Sequence, residues 1–171
     1  MRFEFSANDF VTVAELWERA PDMVRQEFLV AMTDSNLLLQ GELQQQLPRG
    51  AGGSGGLAGS VQREEQPLSD TVLGMVYSNL PHAVYVETGT QPHAVGPLGI
   101  QALTDWVEAK FGTGGEEATR IAHAIAWKIR RQGTRANPVW QRTFDRMQAA
   151  LRSRFDSAVR RVVSRLAGGA A

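Results

Sequence analysis

The longest regular pattern in the chain is PVWQRTFDRMQAALRSRFDSAVRRVVSRL, residues 138–166. Its apolar side chains recur at steps of three or four residues, which is the spacing of one face of an α-helix. They are Trp140, Phe144, Met147, Leu151, Phe155, Ala158 or Val159, Val162 and Leu166. Pro138 suits the first helical turn, where a missing N–H group costs no hydrogen bond. The pattern therefore predicts a C-terminal helix about 40 Å long.

The other side of this predicted helix is rich in arginine. Its basic residues are Arg142, Arg146, Arg152, Arg154, Arg160, Arg161 and Arg165. Residues 120–171 have a net charge of +10 and residues 1–119 a net charge of −10, so the zero net charge of the chain hides a separation. Two interpretations stay open. Either the basic helix lies on an acidic body of the same subunit, or the charge separation orients the subunit in an assembly or toward nucleic acid.

Helical spacing of apolar residues also predicts helices upstream of this one. They cover residues 9–20, 21–47, 98–111 and 116–132. In the second of these, Thr33-Asp34-Ser35-Asn36 predicts a possible break, because such side chains compete for backbone hydrogen bonds. Trp127, Trp140, Phe144 and Phe155 mostly fall on apolar stripes, so we expect core packing rather than a platform for stacking nucleic-acid bases.

The β-structure is predicted to be small. Residues 57–64 and 71–77 have strand character and are separated by turn residues, which indicates an antiparallel hairpin. Residues 2–6 alternate weakly and could add an edge strand, whereas residues 81–97, with three prolines, are expected to be irregular. The predicted fold is α+β, a small antiparallel sheet packed with four to five helices, in a single domain over residues 1–171.

Two segments are predicted to be flexible. Residues 49–60 include six glycines, and regular structure there would cost too much conformational entropy. We therefore expect a flexible loop over residues 49–56. Residues 167–171 are expected to form a flexible tail.

The composition argues against several classes of protein. The chain has no cysteine, which excludes a disulfide scaffold and a cysteine-based metal or redox site. It has no apolar run near the ~20 residues of a membrane helix and no signal-peptide pattern, so a soluble, intracellular protein without membrane contact is expected. Ser54 has glycines at the Gly-x-Ser-x-Gly spacing, but it lies in the glycine-rich stretch that is predicted to be flexible and not in a strained elbow. No carboxylate pair suggests acid–base chemistry. We expect no enzymatic activity, and no catalytic, cofactor-binding or metal-binding site.

Three passages carry a more specific pattern. The first is Leu47-Pro48 followed, after the glycine-rich stretch, by Gly55-Gly56-Leu57-Ala58-Gly59-Ser60. The second is Val76-Tyr77-Ser78-Asn79 leading to His82-Ala83-Val84-Tyr85-Val86-Glu87-Thr88-Gly89-Thr90. The third is Gly133-Thr134-Arg135-Ala136-Asn137-Pro138-Val139-Trp140, which opens the C-terminal helix.

In this order, the passages resemble the minor tail or neck proteins of long-tailed double-stranded-DNA bacteriophages, a family that includes head–tail joining and tail-completion proteins. The resemblance covers roughly residues 20–166. It implies a structural virion protein, assembled in the host cytoplasm, that forms a homo-oligomeric ring around the DNA channel. The implied partners are an adaptor, a head-closure protein, a tail terminator or a tail tube, with possible nonspecific contact to genomic DNA.

The resemblance also singles out residues of the second and third passages. Tyr85 and Val86 can anchor a turn, Gly89 allows a backbone conformation that other residues avoid, and Glu87 can accept backbone amides or a neighbouring arginine. The candidates for a fold motif or interface are Tyr85, Glu87, Gly89, Thr90 and Pro138. The seven arginines of the C-terminal helix are the candidates for contact with a partner or DNA. The alternative function is a basic nucleic-acid-binding protein that uses this helix.

Overall fold

A computed structural model describes residues 2–6, 21–47, 56–69 and 71–168 of the chain. The elements follow one another as β1 (Arg2–Ser6), α1 (Pro21–Gln46), a helical turn α2 (Gly56–Gly59), β2 (Val61–Pro67), β3 (Thr71–Ser78), α3 (His82–Thr88), α4 (Pro97–Phe111), α5 (Gly115–Gln132) and α6 (Val139–Gly168). Long helices and a small antiparallel sheet make this an α+β fold, as the sequence predicts. No helix in the described ranges is both long and apolar enough to cross a membrane.

The chain divides into two compact units. The first unit consists of Met1–Glu42, Gln62–Tyr77 and Arg142–Ala171, and the second of Leu43–Val61 and Ser78–Gln141. Each unit is thus assembled from segments that are distant in sequence. The prediction of a single folding domain over residues 1–171 stays a prediction.

The sheet of the first unit has three strands in the order β1-β3-β2. β1 pairs antiparallel with β3, in a register that places Arg2 opposite Met75 and Ser6 opposite Thr71. The expected edge strand and hairpin are therefore both confirmed. Gly74 lies where β3 meets α1, and a Cβ atom there would clash with the side chains of Met32 and Asn36. Glycine at this position lets the helix approach the central strand closely.

The core of the first unit lies between α1, β3 and α6. The rings of Phe28 and Phe155 contact each other in a tilted arrangement, with centroids 5.9 Å apart. Phe155 is only 1% exposed, which confirms the predicted apolar face of the last helix. The buried side chains of this cluster are Val24, Phe28, Ala31, Met32, Val72, Phe155, Ala158 and Val162.

α1 continues through the predicted weak point at Thr33–Asn36. Ser35 donates its hydroxyl hydrogen to the carbonyl of Ala31 at 2.6 Å, within the helix. The buried amide of Asn36 donates to the Glu64 carbonyl at 3.1 Å and to the Glu65 carboxylate at 2.9 Å. The side chains that could have competed with the helix are satisfied by bonds compatible with it.

The second unit is built around the helices α4 and α5, which pack against each other. α5 contributes the buried alanines Ala118, Ala122 and Ala126, and α4 contributes Val107. Small side chains at every fourth position let neighbouring elements approach closely. α4 ends at Gly112, whose φ of 66° is the left-handed conformation that glycine favours, as the sequence predicts.

Two local predictions are wrong. Residues 57–60 were expected to begin a strand. Instead, residues 57–59 belong to the helical turn α2, Ser60 follows it, and β2 begins at Val61. Residues 82–88 were expected to be irregular but form α3. Pro81 precedes this helix, where a proline costs no helical hydrogen bond, so its presence did not prevent a helix.

The structure describes only some residues of the segments that were predicted to be flexible. Three predicted segments lie outside the described residues: residues 49–55 of the glycine-rich loop, the predicted helix 9–20 and the tail residues 169–171. α6 extends through Gly168, two residues into the predicted tail. Gly56, the last residue of the predicted loop, begins the helical turn α2.

Candidate functional site

The second and third sequence passages meet at the start of α6. Glu87, in the last turn of α3, accepts hydrogen bonds from the backbone amides of Trp140 at 3.0 Å and Gln141 at 2.9 Å. The first amides of a helix have no acceptor within it, and a carboxylate there also interacts favourably with the helix dipole. Glu87 therefore caps α6 from a distant part of the chain, which is the first of the two roles that the sequence left open.

Two glycines let the backbone segments of this junction come together. Gly89 has φ 72° and Gly133 has φ 67°, in the region that side chains other than glycine rarely adopt. A Cβ atom on Gly89 would lie 2.5 Å from the Thr134 carbonyl oxygen, and one on Gly133 would clash with the Thr90 carbonyl. Each glycine is thus required both by its own conformation and by the opposite segment.

Hydrogen bonds between the same segments complete the junction. Thr90 and Thr134 exchange two backbone hydrogen bonds of 3.1 Å, and their hydroxyl oxygens are 3.0 Å apart. The amide of Asn137 donates to the carbonyl of Val86 at 2.9 Å. Pro138, partly buried, immediately precedes the first residue of α6. The structure therefore brings together Glu87, Gly89, Thr90 and the segment that contains Pro138.

The first sequence passage connects to the second through two serines. The hydroxyl oxygens of Ser60 and Ser78 are 2.7 Å apart, and Ser60 also donates to the Leu57 carbonyl at 2.7 Å. Ser78 accepts the amide of Leu80 at 3.1 Å, just before α3. All three passages are thus linked by hydrogen bonds within the second unit.

Tyr85 has a different environment from the other motif residues. Its side chain is 58% exposed, next to the exposed Val84, and α3 has no buried residue. Its backbone carbonyl accepts the amide of Gly89 at 2.9 Å, which ends the helix. The side chain of Tyr85 therefore does not anchor the turn but remains available on the surface of the second unit.

The arginines of α6 fall into distinct environments. Arg161 and Arg165 both bind the carboxylate of Glu27 at 2.7 Å, and Glu27 is only 6% exposed. Arg146 binds Glu42 at 2.8 Å. These three arginines contact acidic residues of α1, in agreement with the interpretation in which the basic helix lies on an acidic body of the same subunit.

The remaining arginines of α6 differ in exposure. Arg142, Arg152 and Arg160 are exposed, whereas Arg154 is partly buried. Arg160 donates to the hydroxyl of Ser157 at 3.1 Å. The exposed positions Arg152 and Arg160 are the ones at which charge can be changed without breaking an ion pair to α1.

Sequence reasoning missed a second basic surface, on α5. Trp127 is 60% exposed, and the guanidinium of Arg131 lies 4.7 Å from the centre of its ring. Trp140 and Phe155 are buried and Phe144 is partly buried, so the expectation of core packing is wrong for Trp127 alone. Its position between Ala126 and Lys128, away from the stripe of Ala118, Ala122 and Ile125, was the available signal.

Clusters typical of metal chemistry are not found among the described residues. Within those ranges, no three histidine, aspartate or glutamate side chains lie close enough together to hold a metal ion. His93 contacts the carbonyl of Gln91 at 2.9 Å, and His82 is exposed at the start of α3.

No protein-family model, no curated protein sequence and no solved structure matches this chain.

Proposed function

We propose that the chain is a structural virion protein of a long-tailed double-stranded-DNA bacteriophage. In this role it is a neck subunit for head–tail joining or tail completion, and copies of it form a ring around the DNA channel. The role involves no reaction and no cofactor. Its partners are further copies of the chain and the adjacent neck or tail proteins.

The observation that carries the proposal is the linkage of the three sequence passages. Motifs that occur together by chance have no reason to contact one another. Here Ser60 contacts Ser78, and Glu87 caps the helix that the third passage opens. The residues behind the resemblance therefore form one connected structural element, as expected if they are inherited as a set.

The edges of the sheet are compatible with assembly. β1 and β2 are the outer strands of the described sheet, and outer strands can pair with a strand of another subunit. The exposed pair Val84 and Tyr85 offers an apolar contact on the second unit. Contacts between different surfaces of identical subunits close into rings when the rotation between neighbours allows it.

The alternative role for α6, as the main nucleic-acid-binding helix, has less support. Arg146, Arg161 and Arg165 are held by carboxylates of α1. A phosphate would have to compete with these ion pairs, and at Glu27 it would leave a buried carboxylate without its cations.

Interruption of the gene tests the proposal. In the phage or prophage that encodes the chain, an early stop codon should yield filled heads and separate tails, visible by electron microscopy. The wild-type chain supplied in trans should restore joined particles, and an antibody to it should label the neck. Normal infectious particles that lack the chain would contradict the proposal.

A further inference from the structure

In the described ranges the basic side chains of α5 form no ion pair, unlike three arginines of α6, although Glu108 and Glu116 line the same pocket as Arg120. No acidic side chain lies within 4.0 Å of the charged groups of Arg120, Lys128, Arg130 or Arg131, as far as the described ranges extend. All four side chains are exposed. The acidic residues of α5, Glu116 and Glu117, are confined to its first turn.

Three residues of this surface form a line along the helix, and Lys128 and Arg130 lie about 80° to either side of it. Arg120, Trp127 and Arg131 are at positions i, i+7 and i+11, which fall within about 20° of one direction around an α-helix. The line extends about 16 Å along the axis. Phosphates of one strand follow each other about every 3.4 Å along a stacked nucleic-acid helix, so several phosphates can lie along it.

Trp127 adds a flat apolar surface to this line. The indole borders a groove of about 670 Å³ whose lining includes Ile100, His123 and Arg130. None of the described residues that line this groove is acidic. The guanidinium of Arg131 packs over the ring in a cation–π contact. An anionic ligand with a flat aromatic group matches both features.

We propose that this face of α5, formed by Arg120, His123, Trp127, Lys128, Arg130 and Arg131, binds single-stranded nucleic acid. The arginines contact phosphates, and an unpaired base stacks on Trp127. Proteins that bind single strands without sequence preference combine these two elements. A base-paired duplex exposes its base faces only at its ends, so the exposed Trp127 favours unpaired bases over duplex.

The proposed binding surface consists of α5 and the groove beside Trp127, and it does not depend on the ring proposed above. The gene-interruption experiment can succeed while nucleic-acid binding fails, and the reverse also holds. The two proposals are therefore distinguishable.

Fluorescence anisotropy with labelled single-stranded oligothymidylate and oligouridylate tests the proposal. Both probes are used because the stacking and phosphate contacts are common to DNA and RNA. Binding of either one should be weakened about tenfold by Trp127→Ala and less by Trp127→Phe, which keeps a ring. Arg130→Ala/Arg131→Ala should lower the slope of log affinity against log salt by about 1.4. Circular dichroism confirms that each variant is folded.

Matched controls locate the surface. Arg152→Ala/Arg160→Ala removes two exposed arginines of α6 and should leave the affinity unchanged. The proposal is overturned if this control weakens binding as much as the α5 variants, or if Trp127→Ala has no effect. It is also overturned if the wild-type chain binds neither single strand at low salt, or binds duplex equally well. Equal competition by poly-glutamate would assign the surface to an acidic protein instead.

Discussion

The helices α5 and α6 are both rich in arginine, but their arginines have different partners. On α6, Arg161 and Arg165 bind the buried Glu27, and Arg146 binds Glu42. On α5, Arg131 packs on an exposed indole, and Arg130 borders an open groove. A high density of arginine therefore does not by itself mark a binding surface. Three arginines of α6 form ion pairs with carboxylates of α1, whereas within the described ranges the arginines of α5 form none.

Removing an aromatic ring from each of the two helices should give the largest difference in the free energy of unfolding. Phe155→Ala should lower the free energy of unfolding by about 3–5 kcal/mol, because it removes a ring from the core of the first unit. Trp127→Ala, on the exposed face of α5, should change it by less than about 0.5 kcal/mol. Urea denaturation of both variants measures the difference. Similar losses would mean that Trp127 is part of a core.

Removing two arginines from each helix should give the next largest difference in stability. Arg161→Ala/Arg165→Ala should cost roughly 2–4 kcal/mol, because it leaves the Glu27 carboxylate buried without a cation. Arg130→Ala/Arg131→Ala should cost less than about 0.5 kcal/mol, since these side chains are exposed. Thermal and urea unfolding of the two double variants compare them directly.

A rescue variant separates loss of charge pairing from loss of packing. Adding Glu27→Gln to Arg161→Ala/Arg165→Ala should recover much of the stability, because the buried charge is then absent. If the triple variant is as unstable as the double variant, the arginines act through the packing of their alkyl chains instead.

The N-termini of the helices provide a smaller contrast. Glu87→Ala removes the acceptor for the amides of Trp140 and Gln141 and should cost about 1–2 kcal/mol, in the range of other helix caps. Glu116→Gln and Glu117→Gln on α5 should each cost only about 0.3–1 kcal/mol, because they change an exposed charge near the helix dipole. Urea denaturation measures all three. A loss for Glu87→Ala no larger than for Glu116→Gln would show that the cap contributes little.

The exposed arginines of α6 should have the smallest effect on stability. Arg152→Glu/Arg160→Glu should shift the free energy of unfolding by less than about 0.5 kcal/mol, as is usual for surface charges. If α6 contacts another subunit, as the proposed ring allows, the folded variant should nevertheless fail to restore joined particles in the complementation assay. Normal joining by a folded variant would exclude these two arginines from the interface. Arg161 is unsuitable for this test because its reversal would place a carboxylate against Glu27.

The regular elements could be predicted because their signals are local. The stripes of α4, α5 and α6 repeat every three or four residues, and Gly112 ends α4 where the sequence predicts it. Local patterns could not predict that Glu27 pairs with α6 or that Asn36 bonds to β2. The partners are 134 and 28 residues away in sequence. The helix α3 was not predicted because residues 81–97 contain three prolines, although none of them lies within His82–Thr88.

In the candidate site, too, the sequence located the important residues but not their distant partners. Glu87 was singled out by its motif, and backbone amides were named as one of its possible partners, but which amides it binds depends on the tertiary fold. Trp127 was expected in the core because its helix has an apolar stripe, whereas it is 60% exposed on the side away from Ala118 and Ala122. Local pattern thus located the motifs, and only the arrangement of the chain showed what they contact.

The cap that Glu87 provides also makes the junction measurable without any introduced label. The amides of Trp140 and Gln141 lie in the first turn of α6, where a helix offers its own amides no acceptor. The carboxylate that accepts them is 53 and 54 residues away in sequence. Exchange of these two amide hydrogens with deuterated solvent should therefore follow the local opening of α3 from α6, and not the unfolding of the core around Phe155. Two adjacent amides of one helix thereby report on the integrity of a contact between distant parts of the chain.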